Sequence, residues 1–266
     1  MGLLEATLRN PTWRQRLWAW WYPFFTRRIR EQHIDFLNYS FASEFESRPV
    51  LQPLDEPNRP NLQLYCHVTA GAQWSNAQVL EVSSGHGGAA SFFSRTYQPA
   101  RYVGLDLNPE ALRYCQQRHE VPGLSFIRGN ALALPFPDQS FDLVLNVEAS
   151  HCYPDFAKFL QEVARVLKPG GTFYYADLRP TDEVERWIKD LTEVPGLRLE
   201  RMQLINAEVL AGMRLNTPRY NAMVQRAFPS FLQSLTLDFA GVEGSRLYRE
   251  LAAGNLSYRS FRLTRL

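Results

Sequence analysis

The sequence predicts an α/β protein: a doubly wound, seven-stranded, mostly parallel sheet with an N-terminal helical lid and an inserted helical cap. Three observations lead there. Val79-Leu-Glu-Val-Ser-Ser-Gly-His-Gly-Gly88 runs a short apolar stretch into a glycine-rich turn, and a helix-like segment, 89–95, follows it. Apolar runs of strand length then alternate with amphipathic runs of helix length, the pattern of a parallel sheet wrapped by helices. A chain of 266 residues, 45% hydrophobic and 13% aromatic, can bury one large core domain and still carry a cap.

At the start of the chain, Trp13, Leu17, Trp20, Trp21, Phe24 and Phe25 recur at helical spacing, with Arg14, Arg27 and Arg30 mostly off that stripe. Pro23 should kink or restart the helix. The stripe reads as a helix packed over the core or lying as a lid. It reads equally as a basic, aromatic helix that rests on a membrane or grips a lipid-like substrate. Residues 48–60 are punctuated by proline and form a loop. Residues 62–72 look helical, so 1–72 are an N-terminal lid and substrate segment placed before the core.

The core, 73–205, opens with the Val79 strand. Further strands are expected at 102–105, 124–128, 141–146, 172–176 and 197–205. Helices are expected at 109–119, with Asn108 as N-cap and Pro109 in the first position, at 155–167, stopping at Lys168-Pro-Gly-Gly171, and at 182–191. Residues 206–237 read as two or three helices broken at Asn216-Thr-Pro218 and at Pro229. With a short helix at 244–253 they make a cap, 206–253, expected to shape a substrate pocket. A last strand at 256–263, within 254–266, returns to the core sheet.

In an open parallel sheet, ligands bind at the carboxyl ends of the strands, where strand order reverses. Three features meet there. The glycine turn lets a backbone bend sharply and a ligand come close. Asp106 follows Gly85 by 21 residues, where an acid accepts hydrogen bonds from both ribose hydroxyls. Gly129-Asn130-Ala131 is placed to read an adenine edge. The turn alone also fits a dinucleotide-binding dehydrogenase. Glu81, inside the strand and read as aimed at the turn, separates the two. A carboxylate beside a pyrophosphate is repelled, whereas one beside an ammonium group is favoured. S-adenosylmethionine has an adenosine, an ammonium, a sulfonium and no phosphate. The expected cofactor-binding set is Glu81, Ser83, Gly85, Gly87, Asp106, Leu107, Asn130, Ala131 and Asn146.

Val79 to Gly88, Gly104-Leu-Asp-Leu-Asn108, Gly129-Asn-Ala-x-x-Leu-Pro-Phe136, Phe141-Asp-Leu-Val144 and Leu167-Lys-Pro-Gly-Gly171 occur in order. Together they resemble the successive motifs of class I S-adenosylmethionine-dependent methyltransferases, strongly over roughly 65–180. Asn146-Val-Glu-Ala-Ser-His-Cys-Tyr-Pro154, Ala176-Asp-Leu-Arg-Pro180, Asn206-Ala-Glu-Val-Leu210, Tyr22-Pro23 and Asp55-Glu-Pro-Asn-Arg59 extend the likeness over nearly the whole chain. Within the superfamily it looks close to the phthiotriolone/phenolphthiotriolone dimycocerosates methyltransferase family. The resemblance implies a Rossmann-like fold and O-methylation of a hydroxyl on a lipid or polyketide-type molecule, in secondary metabolism. One departure is Asn130, where the superfamily usually has Asp. An amide oxygen still accepts from the adenine amino group.

The charge balance makes no case for nucleic acid: the net charge is +2. It is uneven, however. Residues 1–30 hold six arginines and one glutamate, +5, which leaves −3 for the rest. Three scattered cysteines, Cys66, Cys115 and Cys152, fit a reducing, cytoplasmic setting and offer no disulfide framework or zinc spacing. No apolar run has transmembrane length, and no signal-peptide cleavage pattern follows residues 17–25. Peripheral membrane contact through residues 1–30 stays open, and so does a non-catalytic membrane-surface role.

Methyl transfer to an alcohol needs alignment, exclusion of water and a proton acceptor. The histidines are His33, His67, His86, His119 and His151. His119 ends a surface-type helix and should be solvated. His86, within the glycine turn, should support the loop. His151 lies just past a strand end and is the expected base, with Glu148 or Asp177 as its orienter. His33, from the lid, is the second candidate. Trp21, Tyr22, Tyr39, Glu148, Tyr153 and Asp177 are the expected substrate-pocket residues. Alternatives on the same sheet are a C-methyltransferase and an NAD-dependent dehydrogenase.

Overall fold

The computed structural model describes residues 26–27, 34–44 and 49–266. The expected aromatic helix from Trp13 to Phe25, with Trp21 and Tyr22, and also His33, lie outside them. Among the described residues seven strands form one sheet: β1 (Gln78–Val82), β2 (Arg101–Asp106), β3 (Leu124–Arg128), β4 (Phe141–Val147), β5 (Leu167–Pro180), β6 (Leu197–Leu204) and β7 (Leu256–Arg265). Their order is β3-β2-β1-β4-β5-β7-β6. β1 pairs in parallel with β2 on one side and β4 on the other, and β7 runs antiparallel to both β5 and β6. The doubly wound, mostly parallel sheet read from the sequence is the sheet observed.

Helices α1 (Arg59–Val68), α2 (Gly88–Tyr97) and α3 (Pro109–Arg118) cover one face, where Leu62, Tyr65, Phe93, Leu112 and Cys115 join Val79 and Tyr102 in the core. Helices α4 (Phe156–Val166) and α5 (Val184–Thr192) cover the other, where Phe159, Val163, Trp187 and Leu191 meet Leu80, Val82 and Val103. The caps follow the residue chemistry. Asn108 accepts from Glu110 N–H to start α3, and Asp155 accepts from Lys158 N–H to start α4. β5 is longer than its sequence pattern, because β7 pairs with it as far as Pro180↔Leu256.

Beyond β6 come α6 (Asn206–Ala227), α7 (Ser230–Ala240) and α8 (Arg246–Ala252). The expected break at Asn216-Thr-Pro218 does not occur, and α6 runs through Pro218. Pro218 and Arg214, whose carbonyl loses its helical partner, both stand on the solvent side. The opposite face is held by tertiary bonds: Asn216 Nδ2 donates to Ser40 Oγ and Asn61 Oδ1, and Ala42 N–H to Glu208 O. The break at Pro229 is real, between α6 and α7.

Gly212 lies where α6 crosses residues 40–41. A Cβ there would collide with the backbone of Ser40 and Phe41. Gly212→Ala should therefore cost about 1–3 kcal/mol through overpacking. A thermal melt would show it, and an unchanged midpoint would mean that the crossing is loose.

Candidate active site

The strand order reverses between β1 and β4, and a cavity of about 470 Å³ opens at their carboxyl ends. That volume is within the range of roughly 300–1,000 Å³ common for small-molecule sites. Its floor is the glycine turn after β1, its sides the segments after β2, β3 and β4. Its fourth wall is Asp35 to Asn38, with Tyr65 from α1.

At one end, Asp106 closes β2. Its Oδ2 accepts Gly85 N–H at 2.9 Å and its Oδ1 accepts Asn108 N–H at 2.8 Å. Burial raises this carboxyl to about 6, against the lowering effect of those amides. Leu107 beside it is 53% exposed, an apolar side chain on the cavity wall. Asn130 Oδ1 accepts Leu132 N–H at 3.0 Å and shapes the turn after β3. Asn130, Ala131 and Ser83 all line the cavity.

The glycines divide their roles. Gly85, at φ +54, faces the cavity and has only the Leu37 side chain close to where a Cβ would stand. Gly87 faces away, onto Phe126 and Cys115, so it packs the turn and does not line the cavity. Gly88 N–H donates to Asp35 O at 3.0 Å. Three amides of the turn are thus spent, Gly85 on a carboxylate and Gly87 and Gly88 on carbonyls.

Glu81 does not reach the cavity. The two-residue period of β1 places it on the α1 face, 1% exposed, where it accepts from Tyr65 OH and Tyr102 OH, each at 2.9 Å. Burial raises it to about 7. Asn146 is likewise sealed in β4, its Nδ2 donating to Val82 O and Tyr153 OH. Both reach the ligand space only through neighbours: Tyr65 and Tyr153 line the cavity.

At the other end, Ser83 (φ +60) and Glu148 (φ +53) hold left-handed backbones at the tips of β1 and β4. Of the five non-glycine residues with positive φ among those described, these two line the cavity, and each conformation costs about 1–3 kcal/mol. Ser83 Oγ and Tyr153 OH are 2.6 Å apart. Glu148 lines the cavity, yet does not orient His151. It accepts Tyr39 N–H at 2.9 and 2.8 Å and Tyr258 OH at 2.5 Å, and burial raises it to about 8. It clasps the Asp35–Asn38 wall to the sheet. Tyr39 does not line the cavity; its OH donates to Phe239 O.

The carboxylate that bonds the His151 ring is Asp177. It is fully buried, so it cannot touch a substrate, and it accepts Ser150 Oγ, His151 N–H and Leu178 N–H as well as the His151 ring. His151 Nδ1 is 2.7 Å from Asp177 Oδ1, and Arg179 lies 3.2 Å from Oδ2. Burial opposes charge on both groups, but His151, Arg179 and Ser150 hold Asp177 well below the usual carboxylate range. For His151, burial lowers the imidazolium, while Cys152 and Asp177 raise it well above its ordinary value. The His151 side chain is 29% exposed and stands just outside the cavity wall formed by Glu148, Ala149, Cys152 and Tyr153.

His86 supports the loop as expected, its Nδ1 2.6 Å from Ile34 O and its Nε2 3.0 Å from Thr26 Oγ1, with burial lowering it to about 4. His119 is half-buried. Its Nε2 meets His86 O at 2.8 Å, so it braces the same loop. No residue of 206–253 lines the cavity among those described; α6 and α7 pack behind the 34–41 wall instead. That wall falls within the 1–72 segment expected to lie over the site, but none of Asp35, Phe36, Leu37 and Asn38 was among the expected site residues.

Residues 80–175 match the family model described as a methyltransferase domain. Over 251 residues the chain is 47% identical to the phthiotriol/phenolphthiotriol dimycocerosates methyltransferase of Mycobacterium tuberculosis, covering 94% of this chain and 93% of that one. The chain belongs to this methyltransferase family. It is also 42% identical over 240 residues to a fatty-acid O-methyltransferase of Mycolicibacterium smegmatis, 90% of this chain and 86% of that one. Its fold matches that of an O-methyltransferase from a trans-AT PKS multienzyme of Brevibacillus brevis, bound to S-adenosyl-L-homocysteine, at TM-score 0.66 and 16% identity, covering 87% and 85% of the two chains. The methyltransferase takes S-adenosylmethionine as cofactor, and the dehydrogenase reading falls. The residues present fit that cofactor: a carboxylate placed for a ribose diol, an apolar wall, and a turn in which Gly85, Gly87 and Gly88 already spend their amides within the protein.

Proposed function

We propose that this methyltransferase methylates an oxygen of a lipophilic acceptor, a lipid or polyketide-type alcohol, with His151 as general base. The observation that carries this reading is the His151–Asp177 hydrogen bond beside the β4 tip. It fixes Nδ1 as the donor to Asp177 and leaves Nε2 to take a proton. When bound, S-adenosylmethionine supplies a methyl group on an activated sulfonium. Asp106 would accept from its ribose hydroxyls, Asn130 and Ala131 would hold the adenine edge, and Leu107 would pack on the ring. Ser83 and Gly85 border the same ligand. Asp177 is a positioning residue: it sets the tautomer and stabilises the imidazolium as the acceptor hydroxyl gives its proton to Nε2. Trp21, Tyr22 and His33 remain assigned to the acceptor side from sequence. The names of the relatives, for phthiotriol and for fatty acids, support a lipid-type acceptor.

A second reading has its own support. Cys152 and Asp177 outweigh burial and raise His151, so its cationic form is favoured. An imidazolium suits a carboxylate acceptor, which needs no base and would be drawn to the charge. The pH profile separates the two. With an alcohol acceptor, kcat/KM should rise as pH increases through the raised His151 value, because neutral Nε2 is required. With a fatty acid, it should fall over the same span. Paired assays with a long-chain alcohol and a long-chain acid decide it, and flat profiles for both would remove His151 from either role.

A further inference from the structure

The outward face of the α6–α7 hairpin is built unlike an ordinary soluble surface. Its exposed residues are Ala207, Arg214, Leu215, Pro218, Gln225 and Arg226 on α6 and Ser230, Phe231, Ser234 and Leu235 on α7. Leu215 is 65% exposed, Phe231 81% and Leu235 48%. The exposed charges are both arginines. The acids of the two helices, Glu208 and Asp238, are half-buried, and Asp238 accepts Arg246 N–H. Soluble surfaces intersperse both signs of charge and keep large apolar side chains apart.

The inner face of the same hairpin is equally specific. Met223, Val224 and Phe228 pack on Ile34, with Leu37 beside them, and Leu37 lines the cavity. Gly241, at the end of α7, abuts the Tyr39 ring. One element thus backs the cavity wall on one side and presents apolar and cationic groups on the other.

We infer that the outward face of the α6–α7 hairpin docks on an anionic lipid surface, which brings the 34–38 wall of the site to the phase where a lipophilic acceptor resides. The inference rests on the lipid-type acceptor reading for its purpose, though not for its test. Phe231 at the hairpin tip and Leu235 one turn on enter the headgroup boundary, and Arg214 and Arg226 pair with anionic headgroups. Their flexible stems let the charged ends reach the phosphates while the methylenes stay with the apolar side chains.

Co-sedimentation of the full chain with vesicles tests it without any acceptor. The protein should pellet with phosphatidylglycerol vesicles and far less with phosphatidylcholine, and salt should release it. Phe231→Glu with Leu235→Glu should cut pelleting about tenfold or more, and Arg214→Gln with Arg226→Gln about fivefold per arginine lost. All four positions are exposed, so the melting midpoint and turnover of a dispersed short-chain acceptor should not change. Failure of the wild type to pellet overturns the inference. So does equal pelleting of the Phe231/Leu235 variant, which would assign membrane contact to residues 1–30. A protein that pellets through this face yet methylates only water-soluble acceptors would overturn the acceptor reading and leave the docking face standing.

Discussion

His151→Ala is expected to lower turnover of an alcohol acceptor by about 10²–10⁴-fold, the usual contribution of a positioned acid–base group. S-adenosylhomocysteine affinity should stay within about twofold, since His151 stands outside the cavity wall. Asp177→Asn is the companion. It keeps the volume but replaces the carboxylate that stabilises the imidazolium, and an amide nitrogen in place of Oδ1 would compete with the ring N–H. Turnover should fall, and the pH at which the remaining activity rises should move down, because a group that raises His151 has been removed. A purely structural role for Asp177 would lower activity without moving that profile. The variant also leaves Ser150 Oγ, Leu178 N–H and Arg179 around a neutral group. Loss of the buried charge should therefore destabilise the fold as well, and the melt must be recorded beside the rates. If His151→Ala leaves turnover unchanged, the base is His33 or there is none.

The legible parts of this site were the local ones. Asp106 is the last residue of β2 and Asn130 stands two residues past β3, so a strand-turn reading of the sequence places both at the cavity they line. His151, four residues past β4, and Asp177, near the end of β5, were picked out by the same reading, and the fold puts the two side chains in contact. Glu81 was misread although its strand was placed correctly. The two-residue alternation that buries Val79 and Tyr102 on the α1 face sends Glu81 there too, and the phenols waiting for it come from α1 and β2. Nothing near Glu81 in sequence announces Tyr65. The wall at Asp35–Asn38 was harder still. It has no helical or strand period, and it is held by distant groups: the Gly88 amide, the Glu148 carboxylate, and α6 at Gly212. Pro218 misled because local helix breaking was weighed without the packing that overrides it.

Asp106→Ala should weaken S-adenosylhomocysteine binding by 100-fold or more. Two hydrogen bonds from ribose hydroxyls to a carboxylate, at roughly 1.5–3 kcal/mol each, correspond to at least two decades of affinity. The same carboxylate also fixes the Gly85 and Asn108 amides, so alanine frees the turn and the start of α3 together. Asp106→Asn separates the effects. It can hold only one of those amides with its oxygen, and its nitrogen cannot accept from ribose. The wild-type protein offers a further check by pH alone. Burial raises Asp106 to about 6, so below that pH it carries a proton in the free protein. The ligand requires the ionised form, so affinity should be full above about 6 and fall by up to tenfold per pH unit beneath it. Isothermal titration between pH 5 and about 8 would show that decline, provided the protein stays folded. A flat profile with Asp106→Ala still tightly binding would mean that ribose is held elsewhere, and the cofactor would have to be turned end for end in the cavity.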